Sequence, residues 1–169
     1  MKPEISDDTS VQEFVNSLRG TDWFECIGKP TPDDGSVNRI NTWDEWDGSL
    51  NTPTEFLHLD HQALYDELMS AEGLDKQRLT LLWDGVQNIV LEVASQTVPY
   101  DPKQDYGHGP TLAVWQAGWT AGLVALCLFC KRPIPEHIKT QWAWYARGHW
   151  PSGYATDAAA DAHGPLVVF

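Results

Sequence analysis

The chain has 169 residues and a mass of 19.0 kDa, the size of one domain over residues 1–169. Hydrophobic residues make up 42% and charged residues 21%, which excludes wholesale disorder. Lys plus Arg total 11 against 24 Asp plus Glu, a net charge of −13. A protein that neutralises nucleic-acid phosphates, or docks on an anionic membrane, needs the opposite balance, so neither partner is expected.

Taken in chain order, the first element is a helix over about 10–19. Ser10-Val-Gln-Glu13 has the spacing of a capping box, and Val11, Phe14, Val15 and Leu18 fall on one face. Gly20 is placed to end that helix in the left-handed region. Asp22 to Gly28 is a short aromatic segment, Pro30 to Gly35 a loop, and Val37 to Ile40 a short strand. Asn41-Thr-Trp-Asp-Glu45 offers another cap, with Trp43 and Trp46 on one side of a helical turn. Asp60 can cap a helix over about 61–72, whose inner face is Leu64, Leu68 and Met69.

The clearest periodicity follows Asp75. Leu79, Leu82, Trp83, Val86, Ile89, Val90 and Val93 form one apolar stripe, which predicts a helix over about 76–96. Residues 98–110 read as a polar loop. Thr111 to Cys130 then runs 20 residues without a charge and contains Gly118-x-x-x-Gly122. That length and that small-residue spacing suit a membrane span. Interrupted by Thr111, Gln116 and Thr120, in a chain of mean hydropathy −0.37, the stretch is read as the central buried helix of a bundle over about 111–131. Pro135 then starts a helix that Gly148 stops, with Ile138, Trp142 and Tyr145 facing inward. His149–Tyr154 and Leu166–Phe169 look extended, as a hairpin around 155–164. The predicted fold is mainly α, a single helical-bundle domain with a small β element near the C-terminus.

The N-terminus lacks a basic segment followed by an apolar one, so no secretory signal is expected. Cys26, Cys127 and Cys130 are an odd, low count that suits free thiols in a reducing cytoplasm. Residues 1–84 carry 18 acidic and 6 basic side chains, whereas residues 85–169 carry 6 and 5. The acidity belongs to the N-terminal half, as a solubility device or as a negative face for a partner.

No P-loop, dinucleotide fingerprint or nucleophile elbow is present. Gly107-His-Gly109 precedes a helix but follows no strand. Asp7-Asp8 and Asp33-Asp34 have no apolar wall to raise a carboxyl pKa. Cys127-Leu-Phe-Cys130 has the spacing of a redox pair or half a zinc site, but it lies at the C-terminal end of an apolar helix, where dipole and burial both raise a thiol pKa. Buried structural thiols are the simpler reading. Glu55, His58 and His61 form the one metal-like cluster, a Glu-x-x-His with a second histidine three residues on. A second such pair is missing; the nearest match, Asp105-x-x-His108, falls in the loop. No cofactor is expected, and a metal-binding helical protein or metal-dependent enzyme using Glu55, His58 and His61 is the alternative function.

Nine tryptophans are the most unusual feature. Trp83, Trp115, Trp119 and Trp142 lie on apolar stripes and are predicted to be core. Trp43, Trp46, Trp144 and Trp150 lie near turns or charges and are predicted to be partly exposed. Partly exposed Trp among acidic residues is the composition of a binding hot spot that faces a basic partner; the other reading is that these rings anchor loops.

Three patterns carry a resemblance: Asp22-Trp-Phe-x-x-Ile-Gly28 with its following Pro/Asp loop, the Asn41–Glu45 turn, and Tyr145-x-x-Gly-His-Trp-Pro-x-Gly-Tyr154 with Leu166-Val-Val-Phe169. Together they cover about a quarter of the chain and resemble small acidic bacterial proteins that act as immunity proteins against polymorphic or contact-delivered toxins. The resemblance implies stoichiometric inhibition of a cognate toxin without turnover. Trp43, Asp44, Glu45, Trp46 and Asp47 are the expected contacts to a basic protein partner.

Overall fold

A computed structural model describes residues 9–27, 37–39, 56–57, 61–98, 100–104, 109–157 and 162–168. The chain is mainly helical. Its five α-helices among the described residues are α1 (Thr9–Ser17), α2 (His61–Met69), α3 (Lys76–Ala94), α4 (Gly109–Phe129) and α5 (Glu136–Ala146).

Helix α1 buries Val11 and Val15 as the periodicity requires. It is already running at Thr9, so Ser10 lies in the first turn rather than at the predicted cap. Gly20 is not left-handed either. The helix tightens into a 3-10 turn over Leu18–Gly20, and Thr21 leaves it extended, with φ −76° and ψ 137°. The buried Trp23 takes up one of the carbonyls that a helix end leaves open: its Nε1 donates to Leu18 O at 2.8 Å. Phe24 is the residue with positive φ here, at 60°, an uncommon conformation for an aromatic side chain. The reversal brings Cys26 N to donate to Gly148 O at 2.8 Å.

Helix α2 buries Leu68 and half-buries Leu64 and Met69. It stops at Met69 rather than near 72: Ala71 N tightens to Leu68 O at 3.3 Å, and Gly73 then turns the chain at φ 78°. Asp75 caps α3 as expected, its carboxylate accepting from Gln77 N at 2.9 Å. The stripe below it buries Leu79, Leu82, Val86 and Val90.

Helix α4 is apolar all round, and such a helix satisfies its surface only by contact on several sides. It packs against α1, α2, α3 and α5. Thr111 Oγ1 ties its start to the preceding loop by donating to Asp101 O at 3.0 Å. Among the described residues, Pro110–Phe129 is the helix long and apolar enough to cross a bilayer by length and composition, and 72% of that window is buried inside the fold. Pro135 precedes α5, and its carbonyl accepts from Ile138 N and Lys139 N, both at 3.0 Å. Gly148, with φ 85°, ends the segment as predicted; a Cβ there would stand 3.0 Å from Asp22 O.

Four short strands, β1 (Val37–Arg39), β2 (Phe56–Leu57), β3 (Pro151–Asp157) and β4 (Ala162–Val168), make one sheet in the order β1-β4-β3-β2. β3 runs antiparallel to both β2 and β4, while β1 lies parallel to β4 with Val37 opposite Leu166. Leu166 and Val168 pack on Trp144, which joins the sheet to the end of α5.

Candidate protein-binding face

The line where α3 meets α4 is set by glycine. A Cβ on Gly118 would stand 2.4 Å from Gln87 Oε1, and one on Gly122 would stand 2.5 Å from Trp83 Cζ3. Only hydrogen at these positions leaves the space that the Gln87 and Trp83 side chains occupy. The Gly-x-x-x-Gly spacing is therefore consumed within the chain: it seats the Trp83 ring and lets Gln87 Nε2 donate to Gly118 O at 2.6 Å. The other large rings of the seam gather around these two side chains. Trp83 and Trp119 are half-buried in an edge-to-face pair, with centroids 5.1 Å apart and planes at 85°. Tyr65 of α2 closes the group at 4.7 Å from Trp83 and 5.7 Å from Trp119.

Farther along the same seam the helices open into a groove of about 110 Å3 lined by Gln87, Asn88, Leu91, Val114 and Trp115. Trp115 is 40% exposed and Leu91 38% exposed. Asp84, Asn88 and Leu91 are all exposed and fall at i, i+4 and i+7, on one face of α3. A groove with an indole and a valine on one wall and an aliphatic and two amides on the other, with the Asp84 carboxylate one turn beyond it, suits a side chain presented by another protein.

The tryptophan assignments from sequence are thus corrected in both directions. Trp115, predicted to be core, is exposed, and Trp83, Trp119 and Trp142 are half-buried. Trp144 and Trp150, predicted to be partly exposed, are 4% and 0% exposed. Trp150 sinks because its indole N–H finds an acceptor, donating to Gln116 Oε1 of α4 at 2.8 Å. Trp144 is sandwiched between the sheet and the Arg147 guanidinium, whose carbon lies 4.3 Å from the ring centroid.

A second polar line crosses the helices nearby. Gln141 is buried and its Oε1 lies 3.1 Å from His61 Nε2; Thr120 Oγ1 donates to the same oxygen at 3.5 Å. His61 and His137 stack with centroids 6.3 Å apart. Of the metal-like cluster, His61 alone falls among the described residues, and its Nε2 is engaged with Gln141. Glu55, His58 and His108 lie outside them. Within the described residues no group of three or more His, Cys, Asp or Glu is placed to hold a metal ion. Trp43, Asp44, Glu45, Trp46 and Asp47 also lie outside the described residues, as do the Asp7-Asp8 and Asp33-Asp34 pairs.

The two cysteines behave as their position on α4 dictates. Burial first, then the neighbouring Cys130, pushes the Cys127 thiol up to about 11; the Arg132 charge opposes this without reversing it. Cys130 is raised as well, again chiefly by burial. A nucleophilic thiolate needs the opposite shift.

Leu91, Asn88 and Trp115 were missed by the periodicity argument. The available signal was that Leu81 and Leu91 are apolar yet fall outside the α3 stripe, beside a helix whose glycines announce a close crossing. No family model, curated protein or solved structure matches this chain.

Proposed function

We propose that the chain is a non-enzymatic, cytoplasmic binding protein of the immunity type, which inhibits a cognate bacterial toxin by holding it stoichiometrically through an acidic, tryptophan-bearing face. With this reading goes the finer architecture, a single helical-bundle domain carrying a small β element near the C-terminus. The observation that carries the proposal is the half-open seam between α3 and α4, where Trp83, Trp115 and Trp119 stand at the rim instead of in the core. Large aromatic side chains held rigidly at a surface supply much of the energy of protein interfaces. Asp84, on the same exposed face of α3 as Leu91, and a net charge of −13 favour a basic partner and faster encounter with it at low salt.

The test starts with capture of a partner from the native host and continues with the purified pair. The expected result is a one-to-one complex with a basic protein, weakened by salt, whose toxicity disappears on co-expression of this chain. Trp115→Ala should weaken that complex about tenfold or more, the loss typical of an interface anchor. A partner whose toxicity persists at saturating concentrations of this chain would overturn the inhibitor reading.

A further inference from the structure

We propose that the groove beside Trp115 receives an arginine side chain of the basic partner, an assignment that rests on the binding-protein reading above. The groove, of about 110 Å3 and lined by five residues, is a site for the head of one side chain rather than for a helix. Its walls select the type of head. α4 contributes Val114 and the half-exposed indole of Trp115, and this helix carries no charged residue, so nothing on that wall repels a cation. α3 contributes Leu91 and Asn88, with Asp84 one further turn away on the same face.

A guanidinium fits that combination. It is planar and weakly hydrated, stacks on an indole face, and still offers donors to an amide oxygen and a carboxylate at its edge. A lysine ammonium is a compact, strongly hydrated point charge that an apolar-walled groove would have to strip of water. The chain uses the same chemistry internally, where the Arg147 guanidinium covers the Trp144 ring. A second copy of the chain is disfavoured as the occupant because two chains of net charge −13 repel each other. The wall is already rigid before any ligand arrives, since the Gln87 amide is fixed on Gly118 O, and a preformed groove loses less entropy on binding.

The test titrates the full chain at low salt with tetra-arginine amide and, in parallel, with tetra-lysine amide, following the indole N–H signals by NMR. Trp115→Phe identifies the Trp115 signal by its disappearance. The Trp115 signal should move saturably with tetra-arginine, and that peptide should bind about fivefold tighter than tetra-lysine. Trp115→Ala should weaken tetra-arginine binding about fivefold, Asp84→Asn about twofold, while Trp115→Phe retains part of the affinity because a ring remains. Equal affinity for the two peptides with an unmoved Trp115 signal would overturn the groove assignment, leaving a diffusely acidic surface and the basic-partner reading intact. No perturbation by either peptide would overturn both.

Discussion

Two aromatic clusters meet the same helix and end in opposite states. On one face of α4, Gln116 and Thr120 sit one turn apart; Gln116 accepts from the indole of Trp150, which lies in the same core cluster as Tyr145. Both rings are almost completely buried. On another face, Gly118 and Gly122 receive Gln87 and Trp83 from α3, and the surrounding rings of Trp83, Trp115 and Trp119 remain in partial contact with water. A large ring with a polar tip goes fully inside when a buried acceptor waits for that tip. A glycine row instead leaves a shallow space that side chains of the facing helix fill from the rim. The first arrangement makes stability and the second makes a surface.

The sharpest way to break this contrast is Trp150→Ala. It removes a ring that is 0% exposed together with the hydrogen bond that ring donates to Gln116 Oε1, so the loss of folding free energy should be about 4 kcal/mol. The urea midpoint measures it. A loss no larger than that of a surface substitution would mean that the two clusters do not differ in the way described. On the glycine face, Gly122→Val inserts atoms where a Cβ alone would already stand 2.5 Å from Trp83. Helices α3 and α4 must separate or Trp83 must swing outward, at a cost of about 2 kcal/mol. Near-ultraviolet circular dichroism reads the accompanying change in the environment of the tryptophans.

The sequence made the helical elements legible where periodicity and capping agreed. Asp75 and the stripe from Leu79 to Val93 specify α3 almost completely, and Gly148 specifies the end of the α5 segment. Other helix ends were harder to read. α2 ends where Ala71 N tightens to Leu68 O and Gly73 turns the chain, and the turn after α1 is set by Trp23, which no local pattern connects to Leu18 O. The tryptophans were misassigned because burial was judged from sequence neighbours. Trp150 is next to a histidine and a proline, yet its environment is decided by Gln116, which is 34 residues away. Gln116 and Thr120 looked like interruptions of an apolar helix; Gln116 is the acceptor that lets the Trp150 indole enter the core, and Thr120 donates to the buried Gln141. For the same reason the seam stayed hidden: an apolar stripe on α3 announces contact with something, but not the space at Gly118 and Gly122 that Gln87 and Trp83 fill, nor that Trp115 is left at the edge.

The smallest effect on folding is expected at that edge, and its smallness is what separates a surface from a core. Trp115 keeps 40% of its surface in water and borders a groove, so Trp115→Ala creates no sealed cavity; the neighbouring space is already open to solvent. The transfer term is cut in proportion and the cavity term of a buried truncation is absent, which leaves a loss of about 1 kcal/mol or less. Trp150→Ala deletes the same side chain from a site that is closed and hydrogen-bonded, and should cost several times as much. Urea denaturation of the two variants side by side therefore compares one residue type in two environments along a single helix. Similar losses would place Trp115 among the structural rings and remove the reason to regard the seam as a binding face. A small loss at Trp115, in a variant that also binds its basic partner more weakly, would mean that the ring stands at the rim for a use other than holding the fold together.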